Sequence, residues 1–235
     1  MNVLIVHAHH EPRSFNAAMK SLAADLLRGQ GHEVVVSDLY AQGFNPVATA
    51  NDFATRADAE YLVYALEQRH SHGQGTLAAD IQVELDRIKW ADLIIFNFPI
   101  YWFGMPAIMK GWIDRVFVSG YCYGGKRIYD RGGLKGKKAM LCISLGGQRH
   151  MFGPGAVHGE LATLLQPIQR GMLAYVGLEV LPPFVAYHVP YISEAERRDY
   201  LEQYRQHLLG LHQLPALEFP SLDDFDDALR PRNAL

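Results

Sequence analysis

Short, almost wholly apolar runs recur along the chain, and the segments between them place apolar residues three or four positions apart. The short runs are typical of strands buried on both faces of a sheet. The longer segments show the period of an amphipathic helix. Strands are predicted at 3–6, 34–36, 93–98, 137–144 and 178–185, and helices at 15–29, 77–90, 106–117, 159–175 and 194–211.

The alternation of strands and helices predicts an α/β fold. Its β-α-β opening requires a parallel strand pair joined by a right-handed crossover. Five strands alternating with helices predict a three-layer, doubly wound parallel sheet, most simply in flavodoxin-like order. We expect residues 1–212 to form this domain, and residues 213–235, with proline, aspartate and isolated aromatics, to wrap its surface as a tail.

Local signals indicate where several elements begin or end. Ser14 and Ser193 are expected to cap helices. Pro99 is expected to end the third strand, and Pro182-Pro183 to break the fifth. The segment 41–75 is less regular, so it is expected to be an excursion from the core that contains a helical piece.

The chain is organised around the stretch 93–117, in which a buried strand leads into a helix. Between them lies an aromatic loop, Tyr101-Trp102-Phe103-Gly104. Open α/β sheets bind ligands at such loops, and exposed aromatics are costly unless something covers them. We therefore expect this loop either to line a planar ligand or to pack against a neighbouring loop or a second subunit.

The composition is that of an ordinary globular protein, with 235 residues, 49% hydrophobic and 20% charged. A formal net charge of −3 gives no reason to expect nucleic acid or an anionic membrane as a partner. Cys122 and Cys142 lack Cys-x-x-Cys spacing, so a reduced, cytoplasmic location is expected. The N-terminal residues 1–7 are expected to form the first strand and not a signal peptide, and no apolar run approaches the length of a membrane span.

Three loops, 9–15, 99–104 and 144–158, leave the carboxyl ends of strands that should meet at the switch point of the sheet. The first feeds a helix N-terminus suited to a phosphate, with Ser14 and Asn16 as candidate donors, although an N-capped helix explains it equally well. The third loop contains a Gly-Gly pair that lets N–H groups approach a ring edge, although such pairs also mark tight turns. Together with the aromatic loop, these features favour a flavin.

Other chemistries are disfavoured by spacing. The glycines at 153, 155 and 159 miss the dinucleotide fingerprint and do not follow the first strand. No Walker loop and no Gly-x-Ser-x-Gly elbow is present. The eleven histidines lack carboxylate or cysteine partners at metal-ligand spacing, so no metal site is predicted.

A set of short motifs recurs in order along the chain. It comprises Ala8-His9 with Ser14-Phe-Asn16, Ser37-Asp-Leu-Tyr40 with Phe44-Asn-Pro46, Phe98-Pro-Ile-Tyr-Trp-Phe-Gly104, Pro106-Ala-Ile-Met-Lys-Gly-Trp112, Asp114-Arg-Val-Phe117 and Val157-His-Gly159 with Gln166-Pro-Ile-Gln169. This set resembles the NAD(P)H:quinone oxidoreductase (DT-diaphorase) family, in register from about residue 2 to 185 and more loosely to the end.

The resemblance implies a flavodoxin-like homodimer that binds FAD, with FMN the less expected flavin, and places both sites at the subunit boundary. It implies a two-electron, ping-pong reaction in which NAD(P)H reduces the flavin and a quinone then replaces the nicotinamide. Nitro and azo compounds stay open as acceptors. The runner-up is a flavin-binding ancillary subunit of a potassium efflux system.

Carried over by position, the resemblance assigns residues to the flavin, the substrate and catalysis. The flavin residues are His9, Ser14, Phe15, Asn16, Ala17, Pro99, Ile100, Tyr101, Trp102, Phe103, Ser144, Leu145, Gly146, Gly147 and Phe152. The substrate residues are Trp102, Phe103, Tyr123, Gly125 and His158, with Tyr123 supplied by the partner subunit. His158 and Phe152 occupy the catalytic positions, and His158 matches a histidine that stabilises the reduced flavin.

Four departures from the family pattern bear on activity. Phe152 replaces a catalytic tyrosine, so a phenol donor is missing, and Gly125 replaces a substrate-pocket tyrosine, which should widen the pocket. Tyr101 replaces a glutamine common in the animal enzymes. The chain also ends short of the C-terminal extension of the long animal members, which leaves open whether NADH or NADPH is preferred.

Overall fold

The computed structural model describes residues 1–232 of the 235-residue chain. Its strands are β1 (Asn2–His7), β2 (Glu33–Asp38), β3 (Leu93–Pro99), β4 (Lys138–Ser144), β5 (Glu179–Val180) and β6 (Phe184–Ala186). All pairings are parallel, in the order β2-β1-β3-β4-β5, with β6 also beside β4. The predicted doubly wound, flavodoxin-like sheet is confirmed, and β5 and β6 are the two halves of the predicted fifth strand, on either side of Pro182-Pro183.

The helices are α1 (Phe15–Gly29), α2 (Tyr64–Gln74), α3 (Ala79–Trp90), α4 (Ala107–Val116), α5 (Leu161–Ile168) and α6 (Glu194–Leu209). Ser14 and Ser193 cap α1 and α6 as predicted, each accepting a backbone N–H from the first turn. Helix α2 is the predicted helical piece of the excursion.

Pro99 ends the third strand as predicted, whereas one predicted helix boundary is wrong. Pro99 is the last residue of β3, in register with Ser144, and Ile100 N–H then donates to the Ser144 carbonyl at 2.8 Å. Alternate N–H groups of a strand point to opposite sides, so the N–H that Pro99 lacks would face β1, whose pairing with β3 has already ended at Asn97. The helix predicted at 159–175 is α-helical only to Ile168 and continues as a π-helix, because Pro167 interrupts the regular hydrogen-bond ladder.

The side chains of the sheet divide between two cores, as in a three-layer fold. Leu4, Ile94 and Phe96 pack on the face covered by α3, α4 and α5, while Val3 and Ile95 pack on the face covered by α1 and α6. Within residues 1–232, no helix combines the length and apolar character that crossing a membrane requires.

A buried arginine holds the excursion against the core. Arg115 of α4 makes a paired contact with Asp52, at 2.9 and 3.1 Å, and a second ion pair with Asp80 at 2.6 Å. A buried guanidinium is tolerated only when such partners satisfy it. The excursion therefore has a fixed position beside the strands that lead to the candidate site.

Residues 213–232 contact the sheet edge and the loop that precedes β4. Leu217 N–H donates to the Val180 carbonyl at 2.8 Å, and Asp130 accepts from the Ser221 hydroxyl and the Leu222 N–H at 2.8 and 3.1 Å. The division into a domain of residues 1–212 and a tail stays a prediction, and residues 233–235 of that tail lie outside the described residues.

Candidate active site

A cleft of about 350 Å³ lies at the carboxyl ends of β1, β3 and β4, within the size range of small-molecule sites. It is lined by His9, Arg13, Phe15, Asn16, Pro99, Ile100, Tyr101, Ser144, Leu145, Gly146, Val189, Pro190 and Arg197. Most of the predicted flavin residues therefore meet on one cleft. Ser14, Ala17, Trp102, Phe103, Gly147 and Phe152 are not among its lining residues.

The floor of the cleft is a buried chain of polar side chains. The Ser144 hydroxyl donates to Asn16 Oδ1 at 2.6 Å, and Asn16 Nδ2 donates to Asn97 Oδ1 at 3.4 Å. His7 Nδ1 donates to the same oxygen at 3.1 Å. Burial lowers the pKa of His7 to about 4, against the raising effects of Asp38 and the Asn97 hydrogen bond, so the ring is neutral at pH 7.

This floor leaves one donor unsatisfied. Asn97 is fully buried, and its Nδ2 has no hydrogen-bond partner within residues 1–232. Buried polar atoms of native proteins are nearly always paired. An unpaired donor beside Asn16, which itself lines the cleft, is consistent with a polar ligand in this cleft.

The N-terminus of α1 and two arginines form the basic end of the cleft. Ser14 Oγ accepts the Ala17 N–H at 3.1 Å, so this oxygen is engaged by the helix cap. Arg13 is exposed and pairs with Glu11 at 3.2 Å, and Arg197 donates to the Val189 carbonyl at 3.3 Å. Guanidinium groups beside free helix N–H groups favour a phosphate.

The sequence prediction missed both arginines. Arg13 directly precedes the cap residue of a helix expected to face a phosphate, and this position was a usable signal. Arg197 had no such signal, because it lies on α6, far along the chain from the loops of the cleft.

The aromatic loop is a strained tight turn. Tyr101 and Gly104 exchange backbone hydrogen bonds at 3.0 and 2.9 Å, and Trp102 and Phe103 between them have φ values of +50° and +59°. Such a turn normally carries Asn or Gly, because bulky residues are disfavoured in the left-handed region. Trp102 is 99% exposed and Phe103 47% exposed. Strain of this kind, combined with exposed aromatic surface, is typical of functional sites.

The loop 148–159 places the two predicted catalytic residues together. The ring centroid of His158 lies 5.3 Å from that of Phe103 and 5.1 Å from that of Phe152. No hydrogen bond within residues 1–232 engages the His158 ring, whose nitrogens therefore remain available to a ligand. A Cβ on Gly147 would lie 2.9 Å from Phe152 Cε2, so the Gly-Gly pair permits this close packing.

Phe152 has a further aromatic neighbour that the sequence did not indicate. Its ring lies 5.8 Å from that of Tyr187, and the Arg149 guanidinium stacks 4.8 Å from the Tyr187 ring centre. Burial raises the pKa of Tyr187, partly offset by Arg149. These contacts fix the loop that carries Phe152 and His158.

The predicted substrate residues Tyr123 and Gly125 do not line this cleft. Tyr123 lies in a separate groove with Phe117 and Tyr175, and its ring is 5.7 Å from that of Tyr175. Gly125 has a φ of +58° and open space at its Cβ position. Among the described residues, no group of three or more His, Cys, Asp or Glu side chains is arranged to hold a metal ion.

Comparisons with known proteins place the chain in a family. A model of the flavodoxin-like fold family Flavodoxin_2 matches residues 1–208. NAD(P)H dehydrogenase [quinone] 1 of Rattus norvegicus is 41% identical over 224 residues, which cover 95% of this chain and 82% of that protein. The chain belongs to the NAD(P)H:quinone oxidoreductase family. The resemblance found in its motifs is thereby confirmed.

Two further relatives support the same family. Ribosyldihydronicotinamide dehydrogenase [quinone] of Homo sapiens is 42% identical over 207 residues, covering 88% of this chain and 90% of that protein. A crystal structure described as a candidate quinone reductase from Klebsiella pneumoniae superposes with a TM-score of 0.94 at 39% identity, covering 99% of this chain and 94% of that one.

The alternative function, an ancillary subunit of a potassium efflux system, also has a relative among known proteins. The glutathione-regulated potassium-efflux system ancillary protein KefF of Enterobacter sp. (strain 638) is 37% identical over 131 residues, which cover 55% of this chain and 70% of that protein. This match leaves almost half of the chain unaligned, so it gives the alternative weaker support.

The strained aromatic turn leads to a first prediction. Replacing Trp102-Phe103 by Asn-Gly, the pair preferred in this type of turn, should raise the free energy of unfolding of the flavin-free protein by about 1–2 kcal/mol. Urea unfolding measures this change. Trp102→Phe is the matched control, because it keeps a bulky residue at positive φ, and it should leave stability unchanged. An Asn-Gly variant no more stable than the control would show that the turn stores no strain.

The neutral, buried His7 leads to a second prediction. The pKa of His7 is about 4 in the folded protein and has the ordinary histidine value of 6.5 in the unfolded chain. The unfolded chain therefore binds more protons between these two pH values. The free energy that neutral His7 contributes to folding is therefore fully present above pH 6.5 and is lost as the pH falls towards 4. His7 should account for about 2 kcal/mol of the loss between pH 7.5 and 5.

His7→Gln tests this assignment, because its amide can still donate to Asn97 but does not titrate. Urea unfolding at pH 7.5 and pH 5 should show a smaller pH dependence in this variant, by the stated amount. An unchanged pH dependence would contradict the assignment.

Proposed function

We propose that this protein is an FAD-dependent NAD(P)H:quinone oxidoreductase that reduces quinones by two electrons in a ping-pong reaction. The observation that carries the proposal is a cleft lined by Tyr101 of the aromatic turn, Gly146 of the Gly-Gly edge and the basic N-terminus of α1, in a chain whose relatives are quinone dehydrogenases. Nitro or azo compounds are further candidate acceptors.

The residues of the cleft fit a flavin. The aromatic turn offers ring faces that are otherwise exposed, Gly146 brings backbone close to a ring edge, and the α1 N-terminus with Arg13 suits phosphate. A bound flavin supplies the capacity to accept a hydride from a nicotinamide and to pass two electrons to a quinone. The chain's own residues orient the ring and exclude water from one of its faces.

FAD is preferred to FMN on charge and position. Arg13 and Arg197 both reach the cleft, together with the free N–H groups of α1. Two guanidinium groups beside free helix N–H groups suit the two phosphates of a pyrophosphate, which would compete with Glu11 for Arg13.

We assign His158 the role of a donor at the reacting ring. Phe103 and Phe152 hold its imidazole between them, and a donor fixed where negative charge develops lowers the barrier. Phe152 keeps the packing but has no group that can donate a hydrogen bond. His158 therefore performs alone a task that the family pattern divides between a histidine and a tyrosine.

We propose a homodimer in which the partner completes the substrate pocket. Within one chain Tyr123 lies in a different groove from the cleft, so the assigned role of this tyrosine requires a second chain. Tyr121 and Tyr123 are half-buried by neighbours such as His72 and Tyr175, so these two rings are not the aromatic surface that a partner would cover. Trp102 and the exposed Tyr61 and Leu66 of the excursion are the surfaces that remain to be covered.

A regulatory role in potassium efflux is the second candidate. The partial match described above supports it, but the quinone dehydrogenases align along nearly all of this chain. Cys122 and Cys142 are both free and buried, which suits the proposed cytoplasmic location.

The third prediction tests the proposed function directly. The purified protein should be yellow, release FAD on denaturation, and reduce menadione at the expense of NADH or NADPH. Chromatography of the released flavin and a stopped assay of menadione reduction measure both properties. Recovery of FMN alone would refute the assignment of FAD, and flavin binding without turnover would favour the regulatory candidate.

The fourth prediction concerns assembly. Sedimentation at micromolar concentration should give a dimer of the 26.4 kDa chain, and activity should fall as dilution dissociates it, because the substrate pocket needs both chains. A monomer with full activity would rule out the composite site.

The fifth prediction concerns His158. His158→Ala should slow stopped-flow reduction of the flavin by roughly ten- to a thousandfold, the range for losing one positioned donor. His150→Ala, an exposed histidine of the same loop, is the control and should leave the rate unchanged. Phe152→Tyr should be neutral or faster. If His158→Ala retains FAD and reduces it at the wild-type rate, the assigned role is wrong.

A further inference from the structure

His188 makes two hydrogen bonds to the Gly-Gly edge of the cleft. Its Nδ1 lies 2.9 Å from the Gly146 carbonyl oxygen, and its backbone N–H donates to the Gly147 carbonyl at 3.0 Å. The next residue continues the pattern, because Val189 N–H donates to the Leu145 carbonyl at 3.2 Å. Three consecutive carbonyls, those of residues 145, 146 and 147, thus accept hydrogen bonds from His188 and Val189.

The backbone of His188 is bent to make these contacts. It follows β6 and has a φ of +59° and a ψ of 21°, in the left-handed region that non-glycine residues seldom occupy. This conformation brings both the ring and the backbone N–H of one residue onto neighbouring peptides. Its cost indicates that the surrounding structure requires it.

The hydrogen bonds define the protonation of the ring. A carbonyl oxygen can only accept, so Nδ1 of His188 carries the proton. Gln148 Nε2 lies 3.5 Å from His188 Nε2, in position to donate to it. The arrangement therefore requires a proton on Nδ1.

Holding the carbonyls determines where the N–H groups point. The C=O and N–H of a trans peptide point in opposite directions, so the N–H groups of Gly146, Gly147 and Gln148 face away from His188. Gln148 N–H meets the Met151 sulfur at 3.4 Å. Those of Gly146 and Gly147 have no hydrogen-bond partner within residues 1–232. Two free donors are left at the edge of the cleft that Gly146 lines.

We infer that His188 is a positioning residue that fixes the Gly146–Gly147 peptide so that its N–H donates to the carbonyl-bearing edge of the bound flavin ring. The inference rests on the proposed function. The imidazole matters in particular because backbone groups hold the carbonyls on either side, whereas the Gly146 carbonyl is held by the His188 side chain alone. A donor fixed at that edge stabilises the ring more after reduction, when it carries more negative charge.

His188→Gly is the informative variant. Glycine adopts positive φ without strain, so the change removes the side-chain hydrogen bond and keeps the backbone path. We expect the Kd for FAD to rise by roughly three- to thirtyfold, as for losing one fixed hydrogen bond. The reduction potential of the bound flavin should become more negative, and the thermal midpoint of the flavin-free protein should not fall.

Tyr191→Leu is the matched control. The Tyr191 ring packs against His188 at 5.0 Å and is 73% exposed, so this change alters the packing of the imidazole and leaves its hydrogen bond in place. It should keep the wild-type Kd and potential. If His188→Gly also keeps both, or if the control shifts them equally, the imidazole does not position the peptide.

A measurement on the unmodified protein covers the case in which the variant does not fold. The ¹⁵N chemical shifts of the His188 ring should report a proton on Nδ1, and a proton on Nε2 alone would overturn the inference. The two proposals fail differently. A wild-type protein that binds no FAD refutes the proposed function, whereas normal FAD binding and potential in His188→Gly refute only the role of His188.

Discussion

The site depends on a buried chain of hydrogen bonds that joins three strands and a helix. Asn97 of β3 and Ser144 of β4 contact Asn16 in the first turn of α1. His7 of β1 joins the same chain by donating to Asn97. Each is almost fully buried, so none can exchange its partner for water without a large penalty. The chain of contacts therefore fixes the N-terminus of α1 against the carboxyl edge of the sheet.

The walls of the cleft are attached to this floor. Ser144 is the last residue of β4, and the Gly-Gly edge follows shortly after it. Asn97 lies near the end of β3, and the aromatic turn follows that strand. Because the floor sets where each strand ends, it also sets the distance between the aromatic turn and the glycine edge. Under the proposed function, a planar ring that binds there meets a surface arranged before it arrives, which lowers the entropy cost of binding.

Backbone strain is concentrated at the same rim. Trp102, Phe103 and His188 all lie in the left-handed region, and all three adjoin the cleft or the loops that form it. Each costs free energy that packing elsewhere must offset. In return, the chain presents aromatic side chains on the turn and free peptide N–H groups at the Gly-Gly edge, which relaxed loops would not hold in position.

The sequence by itself determined the elements and the family. Apolar periodicity gave the strands and helices, Ser14 and Ser193 their caps, and Pro182-Pro183 the break in the last strand, because these depend on neighbours along the chain. Tertiary structure alone decided that Arg197 reaches the cleft, that Asn97 supports its floor, that His188 holds the Gly-Gly edge, and that Tyr123 lies apart from it. Those contacts join residues that are distant in sequence, and no local pattern encodes them. Pro99 combines both contributions. The sequence predicted that β3 ends there, and the tertiary pairing lets the strand include this residue because β1 has already ended where its missing N–H would point.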